Sequence, residues 1–256
     1  MRQVSKSKSE DEEGILKAQT RLISLLTLLA LLASSSAPVF SQAEQKVEMG
    51  TFYVCLVVKN PRAPAEHSSE AGQVMRAHLK HLESLVANGK AVVVGPFPDG
   101  GRILGIVVMG VQSADEARTL EEADPLVKTG LASVEVLKWW AAKGVMKPPA
   151  TPFDLSLLTT YYFGLIRRGP KWTADRTPEV EKLQADHMAN INALAKAGKL
   201  VIAGPFENAG ENAGVFVFKA GTIDEAKALA DSDPAVKAGR LVVDVHPWLV
   251  LKGSLP

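Results

Sequence analysis

The chain has 256 residues, 46% of them hydrophobic, with 29 basic and 28 acidic side chains and one cysteine. That length accommodates one or two globular domains with a sizeable core. A net charge of +1 supplies no basic footprint for a nucleic-acid partner, and a single thiol excludes an internal disulfide.

Lys17 and Arg21 precede an almost unbroken apolar run, Leu22 to Ala33, and small and polar residues follow as far as Ser41-Gln42-Ala43. This pattern predicts a secretory signal over residues 1–43, cleaved after Ala43, and a periplasmic or secreted protein with no stable membrane insertion. The run is about 12 residues, short of the roughly 20 that a membrane-spanning helix needs. An acidic stretch, Glu10 to Glu13, lengthens the segment before the run, so an uncleaved membrane anchor stays open as the alternative. Residues 44–50 form a short lead-in.

Thr51 to Val58 is apolar, aromatic and β-branched, which predicts a strand. Cys55 sits inside it and reads as a small buried side chain rather than a nucleophile. Glu70 to Ala87 places Val74, Leu79, Leu82, Leu85 and Val86 at helical spacing, with Gly89 beyond it for the C-cap. A strand, AVVVG, ends at Gly95-Pro96-Phe97, where proline lacks a donor for the ladder. A second strand, GIVVMG, follows. Ser113 to Glu116 is a capping box that opens a second helix. Asp124-Pro125 starts a short turn, and a last strand runs to Trp139. Pro148, Pro149 and Pro152 mark residues 145–159 as a linker of restricted flexibility.

Everything then recurs. His78 and His187 lie 109 positions apart, and the same offset aligns residues 51–144 with 160–253 without a gap. Gly95-Pro96-Phe97 meets Gly204-Pro205-Phe206, Asp124-Pro125 meets Asp233-Pro234, and Trp139 meets Trp248. About a third of the paired positions are identical, which is a tandem repeat. The helix stripe of the second copy is Leu183, Met188, Ile191 and Leu194, and its last residues run to 256. Each copy reads β-α-β-β-α-β, the ferredoxin-like α+β arrangement with two helices on one face of an antiparallel sheet. The bare face of one sheet predicts cover by the other, hence an intramolecular pseudo-dimer. Further homo-oligomerisation stays open.

Of the five histidines, only His78 and His187 are counterparts; His67, His81 and His246 align with other residue types. Both repeated histidines lie along the core-facing stripe of the first helix. Imidazole serves as general acid or base near neutral pH when an acceptor orients it. Asp124 and Asp233 are the repeated acids best placed for that. The competing reading makes Asp124 and Asp233 plain N-caps with proline at N1, and the histidines hydrogen-bonded structural residues. Tyr53 and Tyr162 read as packing, and the Gly-Pro-Phe elements as a turn plus core anchor. No phosphate loop, nucleotide fingerprint or metal-ligand spacing is present, so no cofactor or metal is expected.

Taken together, the helix histidine, the glycine after it, a strand ending Ala203-Gly204-Pro205-Phe206, a capped helix ending in Asp-Pro, and Pro247-Trp248 resemble the YCII-related (YciI-like) domain. The first copy departs at Val94 and Lys138, where that family has alanine and often proline. The resemblance implies a dimeric α/β-barrel fold, related in architecture to muconolactone isomerase and small monooxygenases, with the tandem copies supplying both halves. It also implies a His–Asp active-site pair, His187 with Asp233 and His78 with Asp124, and a lyase or isomerase acting on a small aromatic or lactone-like compound. A non-catalytic small-ligand-binding or assembly module is the alternative. A haem protein with a helix histidine as axial ligand is a third reading.

Overall fold

A computed structural model describes residues 48–63, 69–208 and 210–256. The signal segment and His67 lie outside these. The first copy builds β1 (Met49–Lys59), α1 (Ser69–Ala87), β2 (Ala91–Pro96), β3 (Ile103–Met109), α2 (Ala114–Glu122), α3 (Pro125–Lys128) and β4 (Ala132–Ala142). The second builds β5 (Leu158–Arg168), α4 (Pro178–Lys196), β6 (Leu200–Glu207), β7 (Asn212–Phe218), α5 (Ile223–Asp231), α6 (Pro234–Lys237) and β8 (Leu241–Leu251). A short 3-10 turn, Leu155–Leu157, ends the linker.

The repeat holds down to the irregularities. β1 shifts register between Val57 and Val58 against β3, and β5 shifts between Ile166 and Arg167 against β7. Those positions are again 109 apart. Gly89 and Gly198 adopt φ of 67° and 68°, the left-handed conformation that ends a helix without a Cβ penalty. Ser113 and Thr222 each accept a backbone N–H from the glutamate three residues on, at 3.1 Å, so both capping boxes form at their serine or threonine.

All ladders are antiparallel, and the strands run in the order β2-β3-β1-β4-β6-β7-β5-β8. The two sheets join where Lys138 pairs with Glu207 and Trp139 with Phe206. The Gly-Pro-Phe elements make this junction sterically feasible. A Cβ on Gly204 would stand 2.0 Å from the carbonyl oxygen of Trp140, and one on Gly95 would stand 2.0 Å from that of Leu249. Backbone meets backbone at both seams, β6 on β4 and β2 on β8, and the strands close into a barrel. Trp139 Nε1 donates across the first seam to Gly204 O at 3.1 Å. β6 does not stop at Pro205 as the sequence suggests: Phe206 and Glu207 find ladder partners on β4 instead.

Alternation along the strands divides the core in two layers. Val54, Leu56 and Val58 face inward with Trp139, Phe163, Val217 and Trp248, in one cluster drawn from both copies. This is the predicted cover of one sheet by the other, and burial of this kind contributes ~1.5–3 kcal/mol per large side chain. Tyr53 and Cys55 face outward beneath Leu82, Leu85 and Val86 of α1. Tyr162 and Ile166 do the same beneath α4 and α5. Met188, read from the sequence as part of the core stripe, is exposed. One step round the helix from His187, it is turned about 100° from that residue. Among the described residues no helix is long and apolar enough to cross a membrane.

Candidate functional site

α1 points His78 toward the sheet because it shares the stripe of Leu82 and Leu85. α3 begins alongside, with Asp124 as its N-cap in extended conformation and Pro125 following. The two carboxylate oxygens divide the work. Oδ1 accepts Leu126 N–H at 2.8 Å, and Oδ2 meets His78 Nδ1 at 2.6 Å. The second copy repeats this: Asp233 Oδ1 accepts Ala235 N–H at 2.8 Å, and Oδ2 meets His187 Nδ1 at 2.8 Å. Capping and histidine binding were rival readings of the sequence. The fold realises both, because a carboxylate has two acceptors.

Asp124 and Asp233 are buried, while the histidine side chains keep 14% and 12% of their surface. An ionised carboxylate only accepts, so Nδ1 carries the hydrogen, and whenever the ring is neutral Nε2 holds the lone pair. Burial alone would raise the Asp233 carboxyl. Hydrogen bonding and charge from His187, with the Ala235 N–H and Asn190, outweigh it and hold the group below the ordinary carboxylate range. Asn190 Nδ2 donates to Asp233 Oδ2 at 3.3 Å.

The copies differ around this shared core. Where the second has Asn190 and Ala230, the first has His81 and Glu121. Glu121 is fully buried and neither carboxyl oxygen has a partner. Burial, reinforced by the Asp124 charge, pushes its carboxyl up to about 8, so it holds its proton at neutral pH. Burial likewise lowers His81 against the pull of Asp124, and its Nε2 has no hydrogen-bond partner. Cys55 lies in the same layer, buried, and burial raises its thiol far above the ordinary range. That makes it unreactive, as its apolar setting in the sequence suggests.

A cavity of about 480 Å³ opens beside the first dyad. His78 lines it with Met75, Leu79, Leu82, Val107 and Leu126, and the linker adds Phe153 and Leu155. The linker is pinned there by Phe153 N–H donating to Glu83 Oε1 of α1 at 2.8 Å. Sequence reasoning treated residues 145–159 as a spacer and missed this wall. It also missed a third pair, His246 Nδ1 with Asp99 Oδ2 at 2.6 Å, stacked on Phe97 with ring centroids 5.0 Å apart. This pair ties the β2–β3 hairpin of the first copy to β8 of the second, outside the repeat, where no spacing could announce it. Among the described residues no group of three or more His, Cys, Asp or Glu side chains is placed to hold a metal ion.

Comparison with known proteins agrees with this architecture. The chain resembles a haem-binding protein from Thermus thermophilus, at 12% identity and TM-score 0.50, covering 80% of this chain and 94% of that one. It also resembles a candidate chlorite dismutase, at 8% identity and TM-score 0.52, covering 79% and 96%. At such identities the likeness is one of fold alone. No curated protein is detectably similar in sequence. The model of the YCII-related domain matches twice, over residues 51–140 and 162–249. With the tandem dyads, the pseudo-dimer barrel and this double match, the chain belongs to the YCII-related domain family.

Proposed function

We propose that this chain is an exported proton-transfer enzyme of the lyase or isomerase class, acting on a small, largely apolar ring compound of aromatic or lactone type. The observation that carries the reading is His78, bonded through Nδ1 to the buried Asp124 and lining an apolar cavity of about 480 Å³. That volume lies within the range of small-molecule sites.

His78 Nε2 takes a proton from an acidic C–H or O–H of the bound molecule. Asp124 fixes the tautomer through Nδ1 and stabilises the imidazolium that forms. Return of the proton to a different carbon completes an isomerisation. Loss of a leaving group from the neighbouring carbon, with its bonding pair, completes an elimination. A ligand that fills this apolar cavity displaces water from it, which strengthens the charge interaction between ring and carboxylate. His187 with Asp233 has the same local geometry and is proposed as the base of a second site, for a molecule other than this apolar ring compound.

Among the described residues, Lys59 is the one lysine or arginine of the lining, which does not suit the two carboxylates of a haem. Export rests on the apolar run Leu22 to Ala33, and the N-terminal sequence of the mature protein tests it. Residues 1–43 should be missing.

The decisive experiment needs no known substrate. A panel of ring ketones and lactones in D2O is followed by proton NMR for exchange at the carbon beside the carbonyl. The full chain should accelerate exchange for at least one compound, and His78→Gln should lower the rate by about 10²-fold or more, the usual contribution of a positioned base. Undiminished exchange in a His78→Gln, His187→Gln double variant would turn the reading toward a binding module.

A further inference from the structure

Both copies hold a dyad, yet the surroundings diverge in one direction. Gly72, Met75, Val107 and Leu131 of the first-copy lining correspond in the second copy to Glu181, Gln184, Phe216 and Arg240. Three of the four become polar or charged. The fourth becomes bulkier, and the Phe216 ring centroid lies 6.1 Å from that of His187.

The first copy also gains a wall from outside itself. Phe153 and Leu155 reach over from the linker, and Leu158 and Leu251 of the second copy complete that side. Two of the large apolar side chains left exposed among the described residues, Met75 at 47% and Leu155 at 51%, line this cavity. Exposed apolar surface is unfavourable in water. A ligand filling the cavity would cover both side chains, which accounts for their placement at a mouth rather than in a core.

We infer that the two sites are not equivalent: the first alone binds an apolar molecule of one or two rings, and the linker, through Phe153 and Leu155, selects it. The polar end of that molecule meets His78 and its hydrocarbon body lies against Met75 and Leu155. This rests on the reading of the first cavity as the ligand site.

The test is a titration of the full chain with 1-naphthol, an apolar two-ring compound with one weakly acidic hydroxyl, while the histidine ring signals are followed by NMR. Binding should saturate, shifting His78 and leaving His187 in place. Met75→Ser and Leu155→Ser should each weaken binding by about tenfold, the effect of removing one buried apolar contact. Leu157→Ser, on the same linker and exposed but off the cavity, should change nothing. Absence of saturation at millimolar 1-naphthol, equal response of His187, or unchanged affinity in both rim variants would overturn the inference. Rim-dependent binding without any catalysed exchange of ring ketones and lactones would sustain it while refuting the proton-transfer reading. Catalysed exchange without rim-dependent binding would do the reverse.

Discussion

Glu121→Gln removes a titration that the folded protein carries at a cost. Glu121 is fully buried, both oxygens lack partners, and burial with the nearby Asp124 charge moves its carboxyl from the ordinary 4.5 to about 8. In the unfolded chain a glutamate ionises near ~4.3. Between those two values the folded state holds a proton that the unfolded state has released. The stability linked to that proton is complete below the unfolded value and is lost as pH rises through the folded one. At about 1.36 kcal/mol per unit over roughly three and a half units, the full loss is on the order of 5 kcal/mol. Glutamine keeps the shape and cannot ionise. Denaturant unfolding at pH 5, 6, 7 and 8 measures the difference directly. The wild type should lose ground against Glu121→Gln by about 1.4 kcal/mol per pH unit across that window. A difference that stays constant with pH would refute the argument.

Other substitutions probe separate parts of the account. Gly204→Ala puts a Cβ 2.0 Å from Trp140 O, so the seam must part; thermal unfolding should show a loss of about 3 kcal/mol, the upper end of overpacking costs. Asp99→Asn weakens the tie to His246. Burial would raise Asp99, but the bonds from His246 and Gly101 outweigh it and lower its pKa, so its contribution is present above the unfolded value and lost as pH falls. Acid unfolding should show a flatter approach in the variant, with a loss of about 1 kcal/mol at neutral pH for a partly exposed hydrogen bond to a carboxylate. Cys55 should resist a disulfide-type thiol reagent in the native protein and react once in denaturant, because its sulfur is buried and its thiol holds its proton.

The sequence carries most of the fold because each copy checks the other. A strand assigned at Thr51 is tested again at Thr160, and the offset of 109 extends even to the register shifts. Capping boxes and left-handed glycines are local chemistry and are legible from spacing alone. The dyads were legible for the same reason: His78 and Asp124 recur as His187 and Asp233, and repeated polar residues stand out against a pattern of core. What the repeat cannot reveal is whatever breaks it. Glu121 is masked by its counterpart Ala230, and the His246–Asp99 bond joins residues 147 apart with no repeated partner. The linker looked like a spacer because Pro148, Pro149 and Pro152 speak only of stiffness, while the position of Phe153 over α1 depends on a tertiary contact with Glu83. The asymmetry between the sites is of this kind too, built from substitutions that only the fold gathers round one cavity.

The most direct test of the central claim is the tautomer of the two dyad histidines, read from ring-nitrogen chemical shifts of 15N-labelled protein above about pH 8, where free imidazole is neutral. The account predicts that both His78 and His187 carry the proton on Nδ1, donated to Asp124 and Asp233, leaving Nε2 as the base. Protonation of Nε2 in both rings, the tautomer that free imidazole side chains prefer, would contradict it, because no lone pair would then be left to face a substrate.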